Sequence, residues 1–332
     1  MKRIKIAQIG TSRNSHGNPI WGSLLKQSEL FDVVGYAFPE SEREKFPEQA
    51  KAFDSYREMT VEEILNDPNI EAVAVETEEK YLTKYALMAA SAGKHVHMEK
   101  PGGASLSEFE ALIDTLKSKG LVFSTGYMYR FNPAVKKAIE AVKTGKLGKI
   151  ISVEAQMSCT HSREVREWLS EFPGGMLFFL GCHLIDLVYQ LQGEPKEVLP
   201  LSCSTGIDGI KSCDYGMAVF KYPNGVSFVK TADVERGGFT RRQLVITGEL
   251  GTIEIKPLEI CAEGGQYTVY NEYYGTDWYK PREEKKTELY DRYDGMLKSF
   301  AETVMGKTAQ YSYDYELGLY RLILKACGGI VG

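Results

Sequence analysis

The chain has 332 residues, 43% of them hydrophobic, and its 40 basic and 45 acidic side chains leave a formal charge of −5. That length exceeds what a single hydrophobic core usually organises, so two domains are expected. The near-balance of charge, with no long basic run, excludes nucleic acid and an anionic membrane surface as main partners, while a local cluster can still hold a small anion.

The start is basic at Lys2, Arg3 and Lys5 but breaks at Gln8 and Gly10 before a signal-length apolar core develops. Residues 4–9 alternate charged and apolar side chains and run into Gly10, as a strand entering a tight turn does. Trp21, Leu24 and Leu25 share a helical face within 20–30, and 31–38 is a second buried strand. Thr60 opens a helix over 60–65, followed by a strand at 72–75, a helix over 81–92 stopped by Gly93, and a strand at 95–98. Ser105 and Glu108 form a capping box for the next helix, and a strand follows at 121–124. Strands alternating with helices of this length predict a parallel sheet covered on both faces, an α/β Rossmann-type domain over 1–128.

After about Arg130 the pattern changes. A helix is expected over 133–142, a strand at 150–157, and a helix within 176–191 introduced by Gly174 and Gly175. Between 197 and 268 several strands follow with little helix between them, Pro223-Asn224-Gly225 making a hairpin turn. Helices over 297–304 and 316–326 close the chain. The second domain, 129–332, is therefore read as α+β with a mostly antiparallel sheet, its last helix free to pack back on the first domain. The tyrosine-rich stretch 267–293 suits a sugar site or a subunit contact, and ordinary aromatic packing explains it equally well. No segment has the apolar length of a bilayer-crossing helix. Cys159, Cys182, Cys203, Cys213, Cys261 and Cys327 lie far apart without a CxxC pair and read as free thiols, so a cytoplasmic location is expected.

A dinucleotide-binding turn needs glycines where the backbone bends sharply and approaches a pyrophosphate, whose charge then meets a helix N-terminus. Here Gly10 holds the first place, Ser12 the second, and the third falls on Ser15 or, with a two-residue insertion, on Gly17. Thr11, Ser12 and Ser15 then face the phosphates and Arg13 offers charge; the competing reading is a surface turn that binds nothing. The second strand ends at Phe38 where an acid would accept the adenosine ribose. Losing that acid removes repulsion from a 2′-phosphate and makes Ser41 and Arg43 candidate contacts. The cofactor is therefore NAD or NADP, with a slight lean to NADP.

The run Gly93-Lys94-His95-Val96-His97-Met98-Glu99-Lys100-Pro101 resembles the signature of the Gfo/Idh/MocA oxidoreductases. Arg130-Phe131-Asn132-Pro133, Gly145 to Ile150, Gly174-Gly175 leading to His183-Leu184-Ile185-Asp186, and Gly248 to Thr252 extend the likeness over nearly the whole chain. The resemblance implies an N-terminal Rossmann domain, an α+β domain whose sheet forms a homodimer or homotetramer contact, NAD or NADP, and a sugar-like or polyol substrate. It also implies that Glu99 and Thr77 lie against the cofactor.

In such a reaction hydride leaves the carbinol carbon while the hydroxyl proton goes to a base. Lys100, before Pro101, is placed to stabilise alkoxide character on the substrate oxygen, and desolvation would let it share the proton. His183 is the proton acceptor in oxidation and donor in reduction. Three positions depart from the family pattern: Ser12 in the turn, Phe179 where an aspartate one turn before His183 is usual, and Glu76-Thr77-Glu78-Glu79 in place of a Pro-Asn turn. The acids disfavour nearby phosphate unless they point outward. Asp186 is three residues beyond His183 and shares part of its face; a neutral His183 packed on Phe179 is the structural alternative. Arg130, His161, Arg163, Arg166 and Trp168, with Asp186, are candidate substrate contacts, unless the arginines instead pair with nearby glutamates along a surface helix. His95 and His97 share a strand face but no third ligand is evident, so no metal is expected.

Two further readings stay open beside the oxidoreductase: a catalytically weak regulatory relative that binds a nucleotide or sugar, and an enzyme using transient oxidation to assist glycoside elimination or cleavage.

Overall fold

The computed structural model describes residues 2–276 and 283–329. Its chain clusters into two compact units, one running to Met128 and taking up Tyr293–Leu317, the other comprising Tyr129–Arg292 and continuing from Gly318. Tyr279, within the tyrosine-rich stretch, lies outside the described residues.

The first unit is built on five parallel strands, β1 (Ile4–Ile9), β2 (Phe31–Ala37), β3 (Ala72–Val75), β4 (His95–Met98) and β5 (Phe123–Thr125), in the order β2-β1-β3-β4-β5. The central run Ala-Val-Ala-Val of β3 is wholly buried, as a strand covered on both faces must be. The helix Gly17–Lys26 buries Ile20, Trp21 and Leu24 along one stripe, and Trp21 packs with Tyr36 and Phe53. Thr60 and Glu63 make a complete capping box on the helix Val61–Asn66. In the helix Leu106–Lys119, Ser105 accepts the Glu108 amide, and Gly120 ends it in the left-handed region. The segment 293–317 belongs to this unit: the helix Asp294–Val304 buries Leu297 and Phe300, and Glu316 accepts a hydrogen bond from the Thr125 hydroxyl. The strand order reverses between β1 and β3, and in open α/β sheets ligands bind outside the carboxyl ends at such a point.

The second unit is built on a mixed eight-stranded sheet. Its strands are β6 (Ile150–Gln156), β7 (Glu197–Pro200), β8 (Tyr215–Tyr222), β9 (Gly225–Ala232), β10 (Gln243–Gly248), β11 (Thr252–Ile255), β14 (Val269–Tyr273) and β15 (Lys285–Lys286); β12 (Ile260–Ala262) and β13 (Gly265–Tyr267) form a separate hairpin. The order is β15-β14-β11-β10-β6-β9-β8-β7. The pairing β6–β9 is parallel and the others are antiparallel. The β8–β9 hairpin closes through the two-residue loop Pro223-Asn224, with Tyr222 opposite Gly225. One face of the sheet is covered by the helix Cys182–Gln192, whose buried side chains include Leu184, Ile185, Leu187 and Val188. The described cysteines are free thiols, and no helix among the described residues is long and apolar enough to cross a membrane.

Candidate functional site

In the first unit the chemistry gathers at the carboxyl ends of β1, β3 and β4. Gly10 adopts φ +90°, and a Cβ there would lie 2.4 Å from the Thr77 side chain and 2.6 Å from its backbone. A glycine is therefore required by both conformation and space. Gly17 opens the following helix, and a Cβ on it would meet the Thr11 hydroxyl at 2.8 Å. These are the close approaches that a dinucleotide turn demands. Arg13 is exposed in the same loop.

The serines do something other than wait for phosphate. Ser12 Oγ accepts the amides of Asn14 at 3.2 Å and Ser15 at 2.9 Å. Ser15 Oγ accepts those of Ser12 at 3.0 Å and Gly17 at 3.2 Å, and donates to the Glu76 carbonyl. Thr11 donates its amide to Glu42 Oε2 at 3.1 Å, while Glu42 Oε1 accepts the Glu78 amide at 3.2 Å. Glu42 is fully buried, and burial, which outweighs the two amide bonds, pushes its carboxyl up to about 8. Glu42 was not among the residues expected from sequence; a short mixed-charge helix start gives no sign that one of its acids turns inward.

The acids after β3 also point inward. Glu76, Thr77 and Glu79 are buried, so the outward orientation that would have spared a phosphate is not adopted at those positions. Glu76 lies under His97, whose Nε2 is 3.8 Å from Glu76 Oε1. Burial, reinforced by Glu99 and Glu79, raises the Glu76 carboxyl well above the carboxylate range, and burial raises Glu79 to about 7 although Lys100 opposes it. His97 is pushed down to about 4 by burial and stays neutral. Glu99 behaves oppositely. Burial alone would raise it, but His16 and Lys100 hold it low, with His16 Nδ1 at 3.0 Å and Lys100 Nζ at 3.6 Å from Glu99 Oε1. Lys100, 1% exposed, thus sits beside the one carboxylate of the group that is held low, while burial raises its neighbours Glu76 and Glu79. His16, Glu76, Glu79 and His97 complete a cluster of which sequence had singled out only Glu99 and Lys100 for function.

Beyond β2, a cavity of about 530 Å³ is lined by Phe38, Pro39, Met59, Lys84, Tyr85 and Met88, among others. Glu40 accepts hydrogen bonds from Lys84 at 2.6 Å and Tyr85 at 2.8 Å. Ser41, at φ +58°, precedes a short helix, and Arg43 is held by Glu58 at 2.8 Å and Asp54 at 3.1 Å. Arg43 is thus shared between two surface carboxylates. The turn at Gly10, the crowding at Gly17 and this cavity fit a dinucleotide; the self-capped loop amides are the feature that departs from that fit.

In the second unit His183 lies on the helix Cys182–Gln192, 1% exposed, edge-on to the Tyr129 ring at 5.2 Å between centroids. Tyr129 is fixed in turn by hydrogen bonds involving Glu259 and Arg242. The five residues before the helix, Leu177–Gly181, form a π turn. Phe179 packs against Trp168 at 5.2 Å and His161 at 6.3 Å between centroids. Gly174 and Gly175, at φ +65° and +52°, make the entry; a Cβ on Gly175 would lie 2.3 Å from the Cys213 carbonyl oxygen.

Arg130 and Asp186 are both buried and joined by a forked ion pair, with Arg130 Nε and a terminal nitrogen reaching the carboxylate at 2.8–3.1 Å. Asp186 also accepts from Gln190 and braces Arg130. Arg163 pairs with Glu167 four residues on, at the surface. Arg166 is buried on Asp208 and Asp214. The pairing alternative thus describes Arg163, while Arg166 anchors the 207–214 loop and Trp168 joins an aromatic cluster with Phe172 and Phe179. His161 is half-buried, with its Nδ1 against the Asp233 carboxylate.

Two family models match the chain: an oxidoreductase family with an NAD-binding Rossmann fold over residues 4–127, and the GFO/IDH/MocA C-terminal domain over 135–254. The chain is 34% identical over 155 residues to the uncharacterized oxidoreductase YhhX of Escherichia coli, covering 46% of this chain and 44% of that one. It is 28% identical over 173 residues to 1,5-anhydro-D-fructose reductase of Ensifer adhaerens, covering 50% and 51%. The chain thus spans about half the length of these curated relatives. A crystal structure described as a putative NADPH-dependent oxidoreductase from Desulfitobacterium hafniense superposes with a TM-score of 0.80 over 99% of this chain and 96% of that one, at 19% identity, a likeness of fold. With both models matched in order over most of its length, the chain belongs to the GFO/IDH/MocA family of oxidoreductases.

Proposed function

We propose that this protein is an NAD(P)-dependent oxidoreductase that interconverts a secondary alcohol and a ketone on a small sugar-like or polyol substrate. The observation that carries the reading is the Lys100 ammonium, buried at the end of β4 beside Glu99, within a Rossmann unit whose Gly10 turn and Gly17 helix start fit a dinucleotide. When bound, the nicotinamide accepts or supplies the hydride. Lys100 Nζ donates a hydrogen bond to the substrate oxygen and stabilises its negative charge. His183 takes the hydroxyl proton in oxidation and returns it in reduction. Glu99 keeps a negative charge beside the ammonium, and its bond to His16 fixes the carboxylate. A sugar-like substrate is supported by the reductase of Ensifer adhaerens among the relatives. The exposed face of the eight-stranded sheet serves, in this reading, as a homodimer contact.

The self-capped turn favours one alternative, a relative that binds a sugar or nucleotide without turnover, because four of its amides already meet serine hydroxyls. Titration of the full chain with NAD, NADH, NADP and NADPH, followed by a screen of sugars and polyols, separates the two. The oxidoreductase requires binding of at least one coenzyme and turnover that falls by roughly 100-fold or more in Lys100→Met and His183→Ala. A correctly folded chain that binds none of the four coenzymes rules it out.

A further inference from the structure

Past the ends of two parallel neighbours in the second unit, β6 and β9, three donor side chains of different chemistry converge. Cys159 and His161 follow β6, two residues apart, and Asp233 follows β9, 74 residues from Cys159 in sequence. Cys159 Sγ lies 3.5 Å from His161 Nδ1 and 3.5 Å from Asp233 Oδ1, while His161 Nδ1 and the same carboxylate oxygen are in direct contact. One ligand atom from each residue falls within a sphere that a single ion would span. We propose that Cys159, His161 and Asp233 form a binding site for a zinc-class divalent cation, with one coordination position left open.

The geometry argues for an ion beyond mere proximity. With Zn–S near 2.3 Å and Zn–N or Zn–O near 2.0 Å, a tetrahedral centre separates sulfur from its nitrogen or oxygen neighbour by about 3.5 Å. The edge from Cys159 Sγ to Asp233 Oδ1 has that length, while the sulfur lies 3.5 Å and 3.7 Å from the two His161 ring nitrogens, so the imidazole turns its lone pair toward an entering ion. The third edge, nitrogen to oxygen, is shorter because a hydrogen bond now closes it, and an entering ion would replace that bond. The donor set mixes thiolate, imidazole and carboxylate, which zinc accepts and which calcium or magnesium does not favour.

The frame is fixed before any ion arrives. The Cys159 amide donates to Ala232, the His161 amide to Asp233 and the Glu235 amide to Cys159, so the β6 and β9 backbones stay laddered beyond the strands. Asp233 is fully buried, and its second oxygen, Oδ2, has no hydrogen-bond partner among the described residues. Thiolate and carboxylate together offset the charge of a divalent ion. Phe179, whose ring packs on His161, belongs with Leu169 and Met176 to an apolar cluster against which Cys159 also packs, the dry wall that strengthens metal binding. Three protein ligands with a partly exposed histidine leave a position for water or a substrate hydroxyl, the pattern of an open site.

The test does not depend on coenzyme or turnover. The full chain is stripped with a chelator and titrated with Zn²⁺ against a chromophoric competitor, and Co²⁺ is then used as a spectroscopic probe. The site predicts one equivalent of Zn²⁺ and, with Co²⁺, a thiolate charge-transfer band together with the intense d–d bands of tetrahedral cobalt. Cys159→Ser and Asp233→Asn should each weaken Zn²⁺ binding by roughly tenfold or more, while Cys203→Ser, at an exposed cysteine, leaves it unchanged. Absence of stoichiometric binding overturns the proposal, as does binding that survives Cys159→Ser or lacks the thiolate band. Should Asp233→Asn fail to fold, Cys159→Ser and the cobalt spectrum decide alone.

Discussion

Burial holds the Glu42 carboxyl near 8 even though both of its oxygens accept backbone amides. In the unfolded chain the same group releases its proton near 4.3. Between those values the folded state keeps a proton that the unfolded state has lost, so stability falls as pH rises. Glu79, raised to about 7, and Glu76, also raised, act in the same direction, while His97, lowered to about 4, opposes them below about pH 6.5. Glu99 is lowered, and its contribution is present above its unfolded value and lost only as pH falls through the folded one. The expected outcome is a melting temperature that declines from about pH 5 to about pH 8 and a shallower decline in Glu42→Gln. A wild-type melting temperature that climbs over that range would contradict a protonated interior. Sequence displayed Lys100 and Glu99 through a family motif, but Glu42 is buried by amides 31 and 36 residues away, a contact no local pattern records.

At the scale of elements, the alternation of strands and helices was legible because apolar periodicity follows directly from which face is buried. The Gly10–Gly17 turn was legible in its glycines and opaque in its serines. Whether a hydroxyl meets a ligand or caps its own loop is decided by loop geometry. Ser12→Gly releases the amides of Asn14 and Ser15. The variant should lose roughly 1 kcal/mol of stability and bind coenzyme more tightly in a calorimetric titration. An unchanged or weaker affinity would mean that those amides are not what meets the pyrophosphate. The π turn at Leu177–Gly181 was hidden for another reason, since an extra residue in a turn leaves the apolar composition unchanged. Its entry depends on Gly175, where a Cβ would strike the Cys213 carbonyl oxygen and the backbone is left-handed. Gly175→Ala should therefore cost about 2 kcal/mol or more in urea unfolding, and lower turnover by shifting His183; a variant as stable as the parent would show that this entry can relax.

For the molecule as a whole, the sheet of the second unit has two unlike faces. Ala218, Phe220, Val229, Leu244 and Ile246 are buried on one, while the alternate residues Val219, Phe228 and Val245 are only half-buried on the other. Val219 and Phe228 sit opposite each other in the β8–β9 register, so their side chains form one apolar pair on the less buried face. The same face carries Glu154, Lys230 and Gln243, so Val219, Phe228 and Val245 form an apolar centre within a polar surround, the anatomy of a subunit contact. A twofold dimer would bring the same patch of each copy together, so one substitution acts twice across the interface. Phe228→Glu places two like charges there at once, and its effect should exceed that of a single lost contact. Light scattering on the purified chain is expected to give a dimer or a multiple of it, and Phe228→Glu a monomer with unchanged circular dichroism. A parent chain that is monomeric at all concentrations would remove the dimer from the proposed assembly while leaving the chemistry of Lys100 and His183 to stand or fall on its own test.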